Sequence, residues 1–119
     1  MSRRPEHVAL DWLAAFNARD VDALLALYSP QAVHLSPKLR DHQPESGGRI
    51  QGHAALRAWW SDAFKRLPTL HYALMRLTSG AAHVFIEYTR TVNGEPPSDV
   101  AELLEVEGNA IVRSRVFHG

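Results

Sequence analysis

The chain has 119 residues, of which 45% are hydrophobic and 22% charged, and these values predict one globular domain, 1–119, with a single core. Lysine and arginine balance aspartate and glutamate at 13 each, so the basic face that nucleic-acid-binding proteins usually carry is not expected. The lack of cysteine excludes disulfides and thiolate sites, and the lack of a signal peptide or a long apolar run argues against a membrane protein, so a cytoplasmic protein is expected.

Two helices are predicted at the start of the chain. Val8, Trp12 and Phe16 recur at four-residue spacing and form one apolar stripe of the first helix. The segment Asn17–Asp20 ends this helix and supplies an aspartate as N-cap for the second. The second helix is expected to stop at Pro30 and to bury Val21, Leu24, Leu25, Leu27 and Tyr28.

A short strand, a loop and a third helix are predicted next. Ala32–Ser36 is a strand candidate, and the polar stretch 38–51 is rich in turn formers and predicts a loop. The third helix has the clearest signal, because apolar residues fall at i, i+3, i+4, i+7, i+8 and i+11 before Pro68. Those residues are Leu56, Trp59, Trp60, Ala63, Phe64 and Leu67.

The chain after Pro68 is predicted to be antiparallel sheet. Stretches rich in alternating, β-branched and aromatic residues are separated by turn formers, and the last two form a hairpin. The four predicted strands are Thr69–Thr78, Ala82–Val92, Val100–Glu107 and Ile111–His118.

The register of the last hairpin decides which side chains face the core. A three-residue loop pairs Glu105 with Arg113 on the solvent side and leaves the other face mostly apolar. The alternative two-residue loop puts Arg113 and Arg115 on the face of Leu104, at a large desolvation cost. We therefore expect the first register. Its inner face carries Val100, Glu102, Leu104 and Val106 against Val112, Ser114, Val116 and His118.

Two ionisable residues, Glu102 and His118, lie on this apolar face. Desolvation raises the pKa of a carboxyl group there, so Glu102 is a candidate general acid or base near neutral pH. His118 is diagonal to Glu102 on the neighbouring strand, and a carboxylate–imidazole pair is a candidate proton shuttle. The alternatives are an edge glutamate that is ion-paired or solvated, and a terminal histidine without a role.

Several stretches resemble one known superfamily. The run WLAAFNARDVDALLALY at 12–28, AVHLSP at 32–37 and GHAALRAWW at 52–60 are similar to the opening of SnoaL-like and ketosteroid-isomerase-like domains. The closing hairpin is similar as well, so the resemblance to the nuclear transport factor 2-like superfamily covers nearly the whole chain. It implies an α+β, cystatin-like cone in which three N-terminal helices pack on a curved, mostly antiparallel sheet around a pocket.

The resemblance also bears on the chemistry. Ketosteroid isomerases of this fold use an aspartate base, a tyrosine and a protonated aspartic acid. By alignment Ser36 takes the position of the base, Trp12 that of the tyrosine and Glu102 that of the second acid. The base and the main donor are missing, which argues against steroid isomerisation, and the Asp–Arg–Asp set of limonene-epoxide hydrolases has no counterpart. SnoaL-like cyclases, with carboxylate and histidine groups in the same cavity, are closer.

Further pocket residues follow from the resemblance. His34 and Ser36 alternate on one face of the first strand and are expected to point into the cavity, with His34 either catalytic or structural. Asp41 and His42 lie in the polar loop, where they are solvated unless the loop folds over and brings them to the pocket mouth. No histidine spacing fits a metal site, so neither a metal nor another cofactor is expected. The expected substrate-binding residues, whose aromatic members are also core formers, are Trp12, Phe16, Ser36, Trp59, Trp60, Tyr88, Ser114 and Val116.

The sequence thus predicts binding and acid–base conversion of a small, mostly apolar molecule, by isomerisation, cyclisation or dehydration. The catalytic candidates are Glu102, His118 and His34. The alternative is a non-catalytic module of the same fold that binds a ligand or dimerises. A homodimer is expected because Leu103, Ile111 and Phe117 would make the outer sheet face unusually apolar.

Overall fold

The computed structural model describes residues 4–118 and shows an α+β fold. The helices all lie before residue 67 and strands dominate the rest of the described chain, as predicted from the change of hydrophobic period at Pro68. The helices are α1 (Pro5–Asn17), α2 (Val21–Ala26), α3 (Pro37–His42) and α4 (His53–Arg66). The strands are β1 (Tyr28–Leu35), β2 (Arg49–Gln51), β3 (His71–Ser79), β4 (His83–Thr91), β5 (Ser98–Glu107) and β6 (Ala110–His118).

The strands form one mostly antiparallel sheet with the order β2-β1-β6-β5-β4-β3. The pair β1–β6 is parallel and the other neighbours are antiparallel. Because parallel strands end at the same edge, the end of β1 and the end of β6 lie side by side. Helix α3, which follows β1 directly, is therefore held beside His118 at that edge.

The second helix is shorter than predicted, and Pro30 lies within a strand. Helix α2 ends at Ala26, and Tyr28 begins β1. Pro30 is tolerated there because it falls between Tyr28 and Val33, where the β1–β6 register shifts and no ladder partner needs its missing N–H. Tyr28 is buried, as expected, but from a strand.

The predicted loop 38–51 is wrong, because most of it has regular structure. Ser36 caps α3 by accepting a hydrogen bond from the backbone N–H of Lys38 at 3.2 Å, and a single 3₁₀ turn follows at Pro44–Ser46. Strand β2 then pairs with the end of β1. The sequence signal was weak because α3 is short and polar, and Leu39 is its one buried residue.

The hairpin of β5 and β6 combines features of both registers considered above. The turn has two residues, since Glu107 pairs with Ala110, but a bulge in β6 then restores the predicted pair of Glu105 and Arg113. The bulge keeps the arginines of β6 on the solvent side. It also turns Ile111 into the core in place of Val112, so the expectation that Ile111 lies on the outer face is wrong.

The core lies between the helices and one face of the sheet. The apolar stripe of α1 meets α4 and the inward side chains of β3 to β6, with aromatic rings stacked between them. Within residues 4–118 no helix has the length and hydropathy needed to cross a membrane.

Candidate functional site

A cavity of about 280 Å³ opens between the helices and the inner face of the sheet. Its inner wall is aromatic and comes from α1, α4 and β3, while β1 and β5 bring polar groups to the opposite wall and β6 adds Val116. The lining residues are Trp12, Phe16, His34, Ser36, Lys38, His42, Trp59, Trp60, Ala63, Arg66, Leu67, Leu70, Tyr72, Arg90, Glu95, Glu102, Val116 and His118.

Glu102 is the acidic group buried in this wall. The alternation of β5 turns it inward between Ile86 of β4 and Val116 of β6, and its residue is 2% exposed. The hydroxyl of Tyr88 donates a hydrogen bond to Oε1 at 3.2 Å. Burial raises the pKa of the Glu102 carboxyl from 4.5 to about 8, and the hydrogen bond opposes this only in part. Glu102 is therefore mostly a neutral acid at pH 7.

His34 is a buried, neutral histidine on the neighbouring part of the wall. It lies on β1 opposite Ser114 of β6, and its Nδ1 is 2.6 Å from the Ser114 hydroxyl. Its ring packs against Trp60 with centroids 5.7 Å apart. Burial lowers the pKa of His34 from 6.5 to about 4, so the imidazole carries no charge at pH 7.

Behind His34 a chain of buried polar groups crosses the core. The indole N–H of Trp12 donates to the hydroxyl of Tyr28 at 3.1 Å, and that hydroxyl donates to Ser114 at 3.4 Å. Burial, together with the nearby Glu102, raises the pKa of Tyr28 far above its usual range, so its hydroxyl keeps its proton. The chain joins α1, the two parallel strands and the cavity wall.

His118 lies at the mouth of the cavity and not in its wall. It is diagonal to Glu102, since it pairs with Val100 and Glu102 pairs with Val116, but its side chain is exposed. Partial burial lowers its pKa, and the positive charges of Lys38 and Arg90 add to the effect. No hydrogen bond links Glu102 and His118 within residues 4–118, because Glu102 turns inward and accepts from Tyr88 instead.

Charged residues that the sequence analysis did not select surround the mouth. Arg90 and Glu95 form an ion pair at 2.9 Å, and Lys38 and Arg66 lie around the same opening. The alternation of β4 pointed to Arg90, which continues the inward series of Ile86 and Tyr88 by two residues. The other mouth residues lie in loops and at helix ends, where no periodicity identifies them.

Most of the expected substrate-binding residues line the cavity, and two lie behind its wall. Six reach the surface of the cavity: Trp12, Phe16, Ser36, Trp59, Trp60 and Val116. Tyr88 and Ser114 are fully buried behind the wall and act on it through Glu102 and His34. Tyr72 lines the cavity instead of Tyr88, with the two rings stacked 4.0 Å apart.

His42 also reaches the mouth, because α3 brings it against Trp59 with ring centroids 5.9 Å apart. The described part of the chain brings together no group of three His, Cys, Asp or Glu side chains suited to a metal ion.

Similarity to one protein family extends over most of the chain. The family model described as a SnoaL-like domain matches residues 9–114. No curated protein matches the sequence.

Solved structures share the fold across nearly their whole length. A SnoaL-like protein of unknown function from Burkholderia thailandensis is 24% identical, with a TM-score of 0.86, over 97% of this chain and 93% of that one. A putative polyketide cyclase from Sinorhizobium meliloti is 19% identical, with a TM-score of 0.79, over 93% and 94% of the two chains. A hypothetical protein with a ketosteroid isomerase-like fold from Catenulispora acidiphila is 20% identical, with a TM-score of 0.74, over 97% and 86%. At these identities the likeness shows the fold alone.

Proposed function

We propose that this chain, which belongs to the SnoaL-like domain family, binds a small, mostly apolar molecule in its cavity and converts it by acid–base chemistry. The observation that carries the proposal is a carboxyl group buried in the wall of an aromatic cavity, with a pKa raised to about 8. Such a group is present in both its protonated and its ionised form near neutral pH, whereas an exposed glutamate is almost fully ionised there.

Glu102 supplies the proton transfers in this proposal. In its neutral form the acid donates a hydrogen bond or a proton to an oxygen of the bound molecule. Once ionised, the carboxylate takes a proton from a carbon atom next to a carbonyl group of the bound molecule. His34 and His118 complete the proposed set, one inside the cavity and one at its mouth.

Isomerisation, cyclisation and dehydration all need a group that donates a proton to oxygen and a group that takes one from carbon. The name of the Sinorhizobium meliloti protein, a putative polyketide cyclase, supports cyclisation among these reactions. The aromatic wall favours an apolar substrate body, since the stacked side chains of Trp12, Phe16 and Tyr72 line it and carry no charge.

The alternative function is a non-catalytic module that binds a ligand in the same cavity. The missing hydrogen bond between Glu102 and His118 favours this alternative, because the free protein holds no preformed shuttle of the predicted kind. Ligand binding without turnover, undiminished in Glu102→Gln, would support it.

A carboxyl-resolved NMR titration of the free protein tests the proposal. We expect one carboxyl signal to titrate near pH 8 and to vanish in Glu102→Gln. The matched control is Glu105→Gln, which removes a carboxyl from the solvent face of the same strand and should leave that transition in place. A Glu102 midpoint at or below 4.5 would contradict the proposal.

We also propose a homodimer formed through the outer sheet face. Phe85, Leu103 and Phe117 meet there, with the two phenylalanine rings 5.7 Å apart and Phe117 39% exposed. The guanidinium of Arg115 lies 5.1 Å from the Phe117 ring and makes this patch less apolar than the sequence suggested. Sedimentation of the protein and of Phe117→Glu at micromolar concentration is the test. A monomer mass for the unmodified chain would end this proposal.

The expected cytoplasmic location stays a prediction, which fractionation of cells that produce the chain would check.

A further inference from the structure

We infer that the buried chain Trp12–Tyr28–Ser114 fixes the neutral imidazole of His34 in one tautomer, with its proton on Nε2 facing the cavity. His34 then offers the ligand a hydrogen-bond donor and not a base. The inference rests on the proposed function only for the statement that a ligand occupies this cavity.

Four buried groups, Trp12, Tyr28, Ser114 and His34, share the protons that decide this tautomer. An indole N–H can only donate, so the hydroxyl oxygen of Tyr28 accepts from Trp12 at 3.1 Å. The single proton of Tyr28 then goes to the Ser114 oxygen at 3.4 Å. The single proton of Ser114 is left for Nδ1 of His34 at 2.6 Å. In this arrangement the protons of Trp12, Tyr28 and Ser114 each have an acceptor, and Nδ1 carries none of its own.

The two other arrangements each leave a buried proton without a partner. If Nδ1 donates to Ser114 and Ser114 donates to Tyr28, the proton of Tyr28 has no acceptor among the described residues. If Tyr28 and Nδ1 both donate to Ser114, the proton of Ser114 has none. Leaving a buried hydroxyl proton unsatisfied costs free energy, so the first arrangement is favoured.

The other ring nitrogen of His34 is open to the cavity. Nε2 has no hydrogen-bond partner among residues 4–118. Within the same residues, Nε of Arg19 is the one enclosed side-chain nitrogen or oxygen that lacks a partner. Nε2 is therefore not enclosed, and since His34 lines the cavity, that is where its N–H points.

The same count places a second donor in the cavity. Tyr88 donates to Oε1 of Glu102, so the proton of the neutral acid sits on Oε2. Oε2 has no hydrogen-bond partner in the described part of the chain and is not enclosed either, so its O–H also reaches the cavity. Glu102 and His34 are on β5 and β1, with β6 between them.

Two neutral donors on one wall select the chemical class of the ligand. They fit an apolar molecule with hydrogen-bond-accepting oxygens, such as carbonyl groups, and they disfavour amines and other cations. A base for carbon–hydrogen cleavage must then come from ionised Glu102, since the bare nitrogen of His34 faces Ser114 and not the ligand.

Nitrogen-15 NMR of the free protein tests the tautomer directly. A long-range proton–nitrogen correlation at pH 7 distinguishes a protonated from a bare ring nitrogen. We expect His34 to be protonated on Nε2, in excess over the other tautomer by roughly fivefold or more. A His34 that is mainly protonated on Nδ1, or that is doubly protonated, would overturn the inference.

Three variants test whether the tautomer of His34 depends on the hydrogen-bond chain or on other residues of the cavity wall. Ser114→Ala removes the donor to Nδ1 and should reduce the tautomer ratio severalfold. Tyr28→Phe should reduce it less, because Ser114 can still donate although nothing forces it to. Ser36→Ala, directly after the strand that carries His34 and on the same cavity wall, should leave the ratio unchanged. An unchanged ratio in both chain variants would overturn the inference, and the unmodified protein decides it if a variant does not fold.

The outcome is separable from that of the proposed function. A His34 protonated on Nδ1 contradicts the tautomer inference and leaves the Glu102 titration untouched. A low Glu102 pKa contradicts the proposed function and leaves the tautomer of His34 as inferred.

Discussion

The two faces of strand β5 give similar residues opposite environments. Glu102 points into the cavity wall, where burial raises its pKa to about 8 and the Tyr88 hydroxyl donates a hydrogen bond to it. Glu105 points the other way, with a side chain 45% exposed and an ion pair to Arg113 at 3.4 Å. The strand alternation, a purely local property, thus separates a carboxyl suited to proton transfer from one that stays in solvent.

The difference shows what the sheet contributes to chemistry. A glutamate on an apolar face is costly in its charged form. The arginine on that face, Arg90, is paired with Glu95 and does not offset the cost. The outer face pairs its charges across strands and gains little stability from them. Ionisable groups on the inner face are therefore candidates for function, while those on the outer face serve solubility and register.

The largest expected effect is on turnover. Glu102→Gln should lower the turnover of a substrate bound in the cavity by roughly 10²- to 10⁴-fold, because an amide cannot act as a general acid or base. The matched change, Glu105→Gln, should leave turnover within about twofold. Glu105 lies on the solvent face of the sheet, away from the cavity, where substitutions have small effects. Steady-state kinetics of both variants measures the contrast. Equal losses would remove the distinction between the two faces.

The next effect concerns packing on the cavity side. Trp12 is fully buried and stacks on Phe16 at 5.5 Å, so Trp12→Ala should lower the free energy of unfolding by about 3–5 kcal/mol. Leu10 lies on the solvent side of the same helix and is 45% exposed, so Leu10→Ala should cost less than about 1 kcal/mol. Urea unfolding compares the two, and a similar loss in both would show that α1 does not pack as described.

A smaller effect is the pH dependence of stability. Folded Glu102 keeps its proton up to about pH 8, whereas the unfolded chain releases it near 4.5. The folded state therefore loses stability as pH rises between these values, by about 1.4 kcal/mol per unit at most. Glu102→Gln removes this loss. In denaturant unfolding, the stability of the variant relative to the unmodified protein should therefore increase from pH 5 to pH 8. A difference in the free energy of unfolding that stays constant over this pH range would contradict the raised pKa of Glu102.

His34 should show the opposite sign. Its folded pKa of about 4 lies below the ordinary 6.5, so the folded state loses stability as pH falls between these values. The stability of His34→Gln relative to the unmodified protein should therefore increase as pH is lowered from 7 to 4. The same series of denaturant unfolding experiments measures it.

The smallest effect belongs to the outer face. A double-mutant cycle on Glu105 and Arg113 should give a coupling of about 0.2–1 kcal/mol, because both side chains are half exposed. A coupling above about 2 kcal/mol would exceed what exposed pairs contribute and would blur the contrast with the inner face.

The elements with strong periodicity were predictable, and the irregular ones were not. The stripe of α4 and the strands after Pro68 follow from apolar spacing alone, whereas α3 and β2 escaped because each is short and mostly polar. The hairpin of β5 and β6 was predictable only in part. Its pair of Glu105 and Arg113 was predicted. The bulge that turns Ile111 inward was not, because it combines a two-residue turn with arginines that stay on the solvent side.

The sequence by itself determined the side of the sheet on which Glu102 lies, because alternation along a strand needs no information from elsewhere in the chain. Only the tertiary structure decided what Glu102 and His34 meet. Tyr88 reaches Glu102 from a neighbouring strand, and Ser114 lies 80 residues from His34 in the chain. Periodicity states which face a residue occupies, but the hydrogen-bond partners on that face come from distant segments, and their identities and directions follow only when those segments are packed together.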